Sequence, residues 1–170
     1  TFNMNIPMKR LMALLLCAFM LCVEVIHAAG PDVKTGIEVL RDRDFGALKG
    51  KRVGLVTNPS GVDSQLRSTI DILYNAPGVN LVALYGPEHG VRGDVYAGGK
   101  ISDSIDQATG LPVYSLYGAT RKPTRQMLEG IDVMVYDIQD VGVRSYTFIS
   151  TLGLVMEACA EADIDVVVLD

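Results

Sequence analysis

The sequence has few of the residues that build metal or thiol sites, because its 170 residues include only three cysteines and two histidines. Cys17, Cys22 and His27 lie in an N-terminal segment that we expect to be removed, which leaves Cys159 and His89. One thiol cannot form an internal disulfide, and one histidine cannot build a zinc site with two or three histidine ligands. We therefore expect no metal and no other cofactor, and a fold stabilised by its apolar core.

Three motifs of common active sites are absent as well. No G-x-S-x-G motif is present, which argues against the nucleophilic serine of an α/β-hydrolase. The G-x-x-x-x-G-K-[ST] spacing of a phosphate-binding loop is missing, and no G-x-G-x-x-G follows the first predicted strand. Dinucleotide binding therefore has no support from the sequence.

Positive charge is also scarce. The net charge is −5, and removal of the N-terminal segment takes away two positive charges and one negative charge, which gives −6. Binding to nucleic acid requires a basic face that neutralises phosphates. We therefore expect no nucleic-acid partner.

The N-terminal segment has the pattern of a secretory signal peptide. Lys9 and Arg10 precede an apolar run over residues 11–23, and the small residues Ala28 and Ala29 follow. The run is shorter than the roughly 20 residues of a transmembrane helix. A lipoprotein is the alternative, but leucine rather than a small residue precedes both nearby cysteines. We predict that residues 1–29 are cleaved, that the protein is periplasmic or secreted, and that it meets the membrane only transiently.

From residue 30 onward, predicted strands alternate with predicted helices. Apolar runs typical of strands buried on both faces cover residues 51–57, 81–85, 112–116, 132–138 and 164–169. Helical patterns cover residues 37–48, a stretch that begins at residue 63 or 64 and ends before 77, and residues 120–130 and 146–162. This alternation predicts an α/β fold with a doubly wound, Rossmann-like, mostly parallel sheet.

Two of the predicted helices have apolar stripes that we expect to face the core. The stripes are Leu66, Ile70 and Leu73 in the second helix, and Ile149, Leu152, Met156 and Cys159 in the last. Glu157 and Glu161 are expected to face solvent. Cys159 is therefore predicted to pack in the core rather than to do chemistry.

The sequence ends at Asp170, directly after an apolar predicted strand. A parallel sheet rarely ends on an uncovered apolar strand. We therefore expect residues 30–170 to form one Rossmann-like domain that is incomplete at its C-terminus.

Polar residues gather at the carboxyl ends of the predicted strands, where open α/β sheets bind ligands. They are Asn58, Glu88 with His89, Tyr117 with Gly118, Asp137 with Gln139 and Asp140, and Asp170. Strand ends are often polar without forming a site, but the acidic residues are denser here than turns require. With the metal, thiol, serine-nucleophile and nucleotide sites excluded, catalysis by carboxylate groups is the chemistry that remains. Glycoside hydrolysis is the common reaction of this kind. Glu88, in a loop bounded by proline and apolar residues, is placed to donate a proton.

Three long motifs carry a resemblance to a known family. They are Gly-Leu-Val-Thr-Asn-Pro-Ser-Gly at 54–61, Tyr-Gly-Pro-Glu-His-Gly-Val-Arg-Gly at 85–93, and Tyr-Asp-Ile-Gln-Asp-Val-Gly-Val-Arg-Ser-Tyr-Thr at 136–147. In these motifs the sequence resembles the N-terminal portion of the NamZ-like exo-β-N-acetylmuramidases, a bacterial family. The resemblance implies a Rossmann-like catalytic domain and a second, smaller domain. It also implies release of N-acetylmuramic acid (MurNAc) from the non-reducing ends of peptidoglycan fragments.

The resemblance also implies catalytic roles for particular residues. Glu88 is the expected catalytic carboxyl, and His89 is expected to orient it, to bind a sugar hydroxyl, or to be structural. Asp137 and Asp140 are candidates for a second carboxyl or for contacts with sugar hydroxyls. Asp140 is alternatively paired with Arg144 as scaffolding.

Substrate binding is expected to involve arginine, because muramic acid carries a lactyl carboxylate that a guanidinium group matches. Arg92 and Arg144 are the candidates. Asn58 and Tyr146 are expected to hydrogen-bond to the sugar or stack on it, although Asn58 alternatively only shapes its turn.

Two other functions remain open from the sequence. One is a periplasmic domain that binds sugars or muropeptides without catalysis. The other is a phosphohydrolase that holds magnesium or calcium on Asp137, Asp140 and Asp170.

Overall fold

The structure, a computed structural model, describes residue 12 and residues 33–93 and 104–169. The predicted signal peptide, apart from Met12, lies outside these residues. The chain divides into two units, Thr1–Val33 and Lys34–Asp170, and the fold below is that of the second. No helix among the described residues is long and apolar enough to cross a membrane.

The second unit contains a six-stranded sheet. Its strands are β1 (Arg52–Thr57), β2 (Asn80–Gly86), β3 (Ser104–Ile105), β4 (Pro112–Ser115), β5 (Val133–Asp137) and β6 (Asp165–Val168), in the spatial order β3-β4-β2-β1-β5-β6. All neighbouring strands are parallel except β3 and β4. The mostly parallel, Rossmann-like sheet was predicted, and it is confirmed. The two-residue edge strand β3 was not predicted, because it is too short to show a pattern.

The strands are apolar throughout because both faces of the sheet are covered. In β1, Val53 and Leu55 enter one apolar layer and Val56 enters the other. In β5, Val135 lies in the same layer as Val53, and Met134 lies in the same layer as Val56. This alternation follows from the two-residue period of side chains along a strand.

Within the described residues, three α-helices cover the sheet. They are α1 (Gly36–Asp42), α2 (Thr69–Asn75) and α3 (Phe148–Glu161), and a 3₁₀ turn at Gly46–Leu48 follows α1. Buried side chains of α1 and α2 pack in the layer that contains Val53, and those of α3 pack in the layer that contains Val56. Helices on both faces make the sheet doubly wound, as expected.

The first two helices are shorter than predicted. The first was expected over residues 37–48 but ends at Asp42, because Asp44 and Phe45 have left-handed backbone angles that interrupt a helix. The second begins at Thr69, where the Ser68 side chain accepts a hydrogen bond from Ile70 N–H. Leu66 precedes this cap with a φ of 60° and is 81% exposed, so its expected burial was wrong.

Residues 120–130 were predicted to form a helix and instead form tight turns. Leu128 N–H donates to both Thr124 and Arg125 carbonyl oxygens at 3.2 Å, and Ile131 N–H donates to the Leu128 carbonyl oxygen at 3.1 Å. Pro123 lacks a backbone donor and Gly130 has a φ of 79°, so the chain between them forms turns and not a regular helix. Leu128 and Ile131 nevertheless reach the core from these turns.

The last helix was predicted in the right place but with the wrong face buried. Ile149 and Met156 are 64% and 50% exposed, so their expected burial was wrong. The buried side chains of α3 are those of Thr151, Val155, Ala158 and Cys159. These are small or compact residues, and they let the helix pack closely on the sheet. The predicted burial of Cys159 is confirmed.

Candidate active site

Strands β1 and β5 are neighbours at the centre of the sheet, where the chain order reverses. Chain order runs outward from β1 through β2 on one side, whereas β5 lies on the other side of β1. The carboxyl ends of parallel strands at such a switch point flank the crevice in which α/β proteins bind ligands. Asn58, which follows β1, and Asp137, which ends β5, mark this position.

The turn after β1 is linked to the loop after β5 by side-chain hydrogen bonds. Asn58 Oδ1 accepts hydrogen bonds from Ser60 N–H at 2.9 Å and from Ser60 Oγ at 2.6 Å. Ser60 Oγ in turn accepts a hydrogen bond from Gln139 N–H at 2.9 Å. The buried side chain of Asn58 therefore shapes its turn.

Asp137 is enclosed at the end of β5, with 3% of its surface exposed. Its carboxylate accepts a hydrogen bond from Thr69 Oγ1 at the start of α2, and its carbonyl oxygen accepts one from Thr57 Oγ1 at 2.8 Å. Burial raises the pKa of Asp137 to about 6, while the hydrogen bond from Thr69 acts in the opposite direction. Asp137 therefore joins β5, β1 and α2, and its carboxyl can take up a proton near neutral pH.

Glu88 and His89 lie in a tight turn directly after β2. Gly90 N–H donates to the Pro87 carbonyl oxygen at 3.0 Å, which closes the turn. His89 has a φ of 74°, in the left-handed region that residues with side chains seldom adopt. Such backbone conformations concentrate at functional sites. The turn leaves both Glu88 and His89 half-buried.

A tyrosine from the neighbouring strand contacts Glu88. Tyr117 follows β4, and its hydroxyl donates a hydrogen bond to Glu88 Oε1 at 2.9 Å. This hydrogen bond is the main cause that raises the pKa of Tyr117 above its ordinary value. The bond fixes one carboxylate oxygen of Glu88, and no hydrogen bond to Oε2 is found among the described residues.

Glu88 and Tyr117 line a cavity of about 140 Å³ beside the start of α3. The cavity is lined by Glu88, Leu116, Tyr117, Arg121, Thr147, Ser150, Thr151 and Leu154. It combines one acid, one guanidinium group and several hydroxyls with apolar surface. Binding sites for small ligands usually enclose about 300–1,000 Å³, so this cavity has room for part of a sugar.

The predicted residues Asp140, Arg144 and Tyr146 lie in the exposed loop between β5 and α3. Asp140 Oδ1 accepts a hydrogen bond from Gly142 N–H at 2.8 Å. The Tyr146 ring packs edge-on against Phe148, with a centroid distance of 5.7 Å. No ion pair joins Asp140 to Arg144 in this described loop, so the alternative of a scaffolding pair has no support. The loop leads directly into the residues of α3 that line the cavity.

Arg92, the other arginine predicted to bind substrate, is engaged in ion pairs. Its guanidinium group contacts Asp106 at 2.6 Å and Asp71 at 2.9 Å. Arg92 holds the pKa of the buried Asp106 carboxyl below its ordinary range. Arg92 thus links α2 to the chain after β3, and it does not line the Glu88 cavity.

The carboxylates of the metal-dependent alternative do not assemble in the part of the chain that the structure describes. No three histidine, cysteine, aspartate or glutamate side chains there approach one another as ligands of a metal ion. Asp170, the third carboxylate of that hypothesis, lies outside the described residues.

The chain matches known proteins over most of its length. Residues 53–170 match the family model described as "Exo-beta-N-acetylmuramidase NamZ, N-terminal". The chain is 54% identical over 143 residues to the peptidoglycan β-N-acetylmuramidase NamZ of Bacillus subtilis. The chain belongs to the NamZ family. This confirms the resemblance seen in the three sequence motifs.

Two solved structures of DUF1343 family proteins from Bacteroides fragilis share the fold of this NamZ-family chain. One has a TM-score of 0.75 and 66% identity, and covers 81% of this chain and 34% of its own. The other has a TM-score of 0.67 and 36% identity, and covers 82% of this chain and 35% of its own. The alignment with B. subtilis NamZ covers 84% of this chain and 34% of that protein. The chain thus spans about a third of the length of these relatives.

Several cavity residues of this NamZ-family chain were not among the predicted site residues. Tyr117 was noted at a strand end without a role, and Arg121 lay inside a predicted helix. Ser150 and Thr151 lie on α3, whose buried face was predicted wrongly. The position of Tyr117 directly after a predicted strand was the available signal. Nothing in the sequence pattern pointed to Arg121.

Proposed function

We propose that this protein is an exo-acting glycoside hydrolase that releases MurNAc from the non-reducing ends of peptidoglycan fragments. One observation carries the proposal: the Glu88 carboxylate, held by Tyr117, lines a cavity at the carboxyl edge of the sheet. Membership of the NamZ family and 54% identity to a peptidoglycan β-N-acetylmuramidase support the choice of substrate.

In the proposed mechanism, Glu88 is the general acid. A protonated Glu88 gives its proton to the glycosidic oxygen while the bond from that oxygen to the sugar C1 breaks. Water supplies the hydroxyl that replaces this oxygen on C1 and the proton that restores Glu88. Tyr117 holds Oε1, which leaves Oε2 to face the leaving-group oxygen. His89, next to Glu88 in a strained turn, orients the carboxyl or binds a sugar hydroxyl.

The other predicted residues receive different roles in this proposal. Asp137 is enclosed and bonded to Thr69, which supports a positioning role in which it holds the loops at the switch point. Asp140 is exposed and remains the candidate for a second carboxyl or for contacts with sugar hydroxyls. Tyr146, exposed beside the cavity-lining Thr147, is placed to stack on a sugar ring.

The location of the proposed substrate is relevant to the cellular location of the protein. Peptidoglycan lies outside the cytoplasmic membrane, and this supports the export that the sequence of residues 1–29 predicts. Sequencing of the N-terminus of the protein from its native host is expected to begin near Ala29 or Gly30. A cytoplasmic product that retains Met4 or Met8 would contradict export.

The activity is tested by product analysis with the full-length protein. Peptidoglycan fragments with MurNAc at the non-reducing end are expected to release free MurNAc, detected by mass spectrometry. Matched fragments that end in N-acetylglucosamine are expected to remain intact. Binding of the fragments without release of sugar would favour the binding-module alternative. Hydrolysis of phosphate esters that a chelator abolishes would favour the phosphohydrolase.

A further inference from the structure

Arg121 lines the same cavity as Glu88, although the sequence pattern did not point to it. It lies after β4, beyond Tyr117, and it is exposed. The hydroxyl residues Thr147 and Ser150 line this cavity as well. A cavity whose lining combines a cation with an acid and hydroxyls has the composition of a site for an anionic, hydroxyl-rich ligand.

The charge of Arg121 is not neutralised within the described part of the chain. No ion pair of Arg121 occurs there, whereas Arg92 contacts two carboxylates. Arg121 and Tyr117 both line this cavity, and the charge of Arg121 acts to lower the pKa of Tyr117 while Glu88 raises it. The acid, its hydrogen-bonded tyrosine and the cation therefore line one cavity.

We propose that Arg121 binds the carboxylate of an anionic sugar in the Glu88 cavity and is the specificity-determining residue of the site. The proposal rests on the proposed function, because the lactyl carboxylate distinguishes MurNAc from N-acetylglucosamine. A guanidinium group presents two parallel N–H donors that match the two oxygens of a carboxylate. Selection of MurNAc then depends on a residue beside the catalytic acid.

The two arginines predicted from the sequence are less suited to this role. Arg92 already shares its guanidinium group between Asp71 and Asp106. Arg144 is exposed in the loop before α3 and does not line the cavity. Arg121 is the arginine that lines the Glu88 cavity within the described residues.

The proposal is tested by removing each partner of the contact in turn. Binding of MurNAc and of its methyl ester, which lacks the carboxylate charge, is measured by calorimetry for the full-length wild type and for Arg121→Gln. We expect the wild type to bind the acid about 10–100-fold more tightly than the ester, as for a charge-assisted hydrogen-bonded pair. Arg121→Gln is expected to bind both equally, and Arg121→Lys to restore part of the preference.

Arg125→Gln is the matched control, because Arg125 is exposed four residues further on and does not line this cavity. It is expected to keep the full preference for the acid. The proposal is overturned if Arg121→Gln weakens binding of acid and ester by the same factor, which would indicate a structural role. It is also overturned if Arg121→Gln keeps the preference, or if Arg144→Gln abolishes it instead.

These measurements separate this inference from the proposed function, because binding needs no turnover. A wild type that releases MurNAc but whose preference for the acid is independent of Arg121 overturns the inference alone. A wild type that binds the acid through Arg121 and releases no sugar overturns the proposed hydrolase and supports the inference.

Discussion

The Tyr117 hydroxyl and the Glu88 carboxylate meet because their strands are paired in one register. Gly86 at the end of β2 lies opposite Ser115 at the end of β4. Glu88 and Tyr117 each lie two residues beyond this pair, and the hydroxyl donates to Oε1 at 2.9 Å. The pairing of two neighbouring parallel strands thus positions the acid and its hydrogen-bond donor together.

Replacement of Tyr117 by phenylalanine tests this contact. The ring volume is kept, but Glu88 Oε1 loses its donor and the carboxyl is less well oriented. We expect kcat on the natural linkage to fall about tenfold while KM stays within about twofold. Steady-state kinetics with a MurNAc-terminated disaccharide measures both constants. A raised KM with an unchanged kcat would show that Tyr117 binds substrate and does not position the acid.

The parallel strands were predictable because each is a continuous apolar run. β1 and β5 lie within one residue of their predicted bounds. The faces of the helices were harder to predict. Leu66, Ile70 and Leu73 have helical spacing, but the cap at Ser68 excludes Leu66, and spacing does not show where a cap lies. In α3, close packing on the sheet selects small residues and leaves Met156 exposed.

The candidate site was predictable only in part for a related reason. The local sequence alone identifies Glu88 as a candidate, because this residue follows the end of a predicted strand. Its contact with Tyr117 depends on the register between β2 and β4, which the sequence does not display. The ion pairs of Arg92 with Asp71 and Asp106 also join segments that are distant in the sequence. The sequence therefore did not show that the Arg92 guanidinium group is already paired.

Replacement of Arg92 by methionine is expected to affect stability more than substrate binding. Asp106 is buried with 5% of its side chain exposed, and loss of Arg92 leaves its charge without its main partner. We expect a loss of about 2 kcal/mol in the free energy of unfolding, measured with urea, and little change in KM.

The control for Arg92 is a more exposed pair. Lys51→Met removes an ion pair to Asp165, whose side chain is 75% exposed, and is expected to cost less than about 1 kcal/mol. A large rise in KM for Arg92→Met without loss of stability would instead support the predicted contact between Arg92 and substrate.

The raised pKa of Asp137 predicts that the free energy of unfolding depends on pH. Its pKa is about 6 in the folded protein against an ordinary value of 3.8, so the folded state holds the proton more tightly. Stability conferred by this group is therefore present at low pH and decreases as pH rises between these values, by up to about 3 kcal/mol. Asp137→Asn does not titrate and should gain stability relative to wild type between pH 4.5 and 7.5.

This prediction is checked by comparing the midpoints of urea unfolding of the wild type and of Asp137→Asn between pH 4.5 and 7.5. Asp132→Asn is the control, because Arg52 holds the pKa of Asp132 at about 2. Its difference from wild type should be nearly constant over the same range. A constant difference for Asp137→Asn as well would contradict the raised pKa of the buried carboxyl.

Gly61 is expected to tolerate no side chain in the turn after β1. A Cβ there would lie 2.2 Å from Thr57 Oγ1 and 2.8 Å from the Asp137 carbonyl oxygen. Gly61→Ala should lower the free energy of unfolding by about 2 kcal/mol. Gly153→Ala in α3, where a Cβ meets nothing within 4 Å, should raise it by about 0.5–1 kcal/mol. Equal effects of the two substitutions in urea unfolding would argue against the tight turn.

The most direct test of the proposed chemistry is Glu88→Gln in the full-length protein. Glutamine keeps the shape and hydrogen-bonding reach of Glu88 but cannot deliver a proton. General acid assistance contributes about 10²–10⁴-fold, so hydrolysis of the natural muramoyl linkage should fall by that factor while ligand binding survives. An aryl glycoside with a good leaving group should be affected much less, and Glu129→Gln, which changes an exposed glutamate outside the cavity, should hydrolyse normally. Hydrolysis of the natural linkage by Glu88→Gln at the wild-type rate would contradict the assignment of Glu88 as the acid.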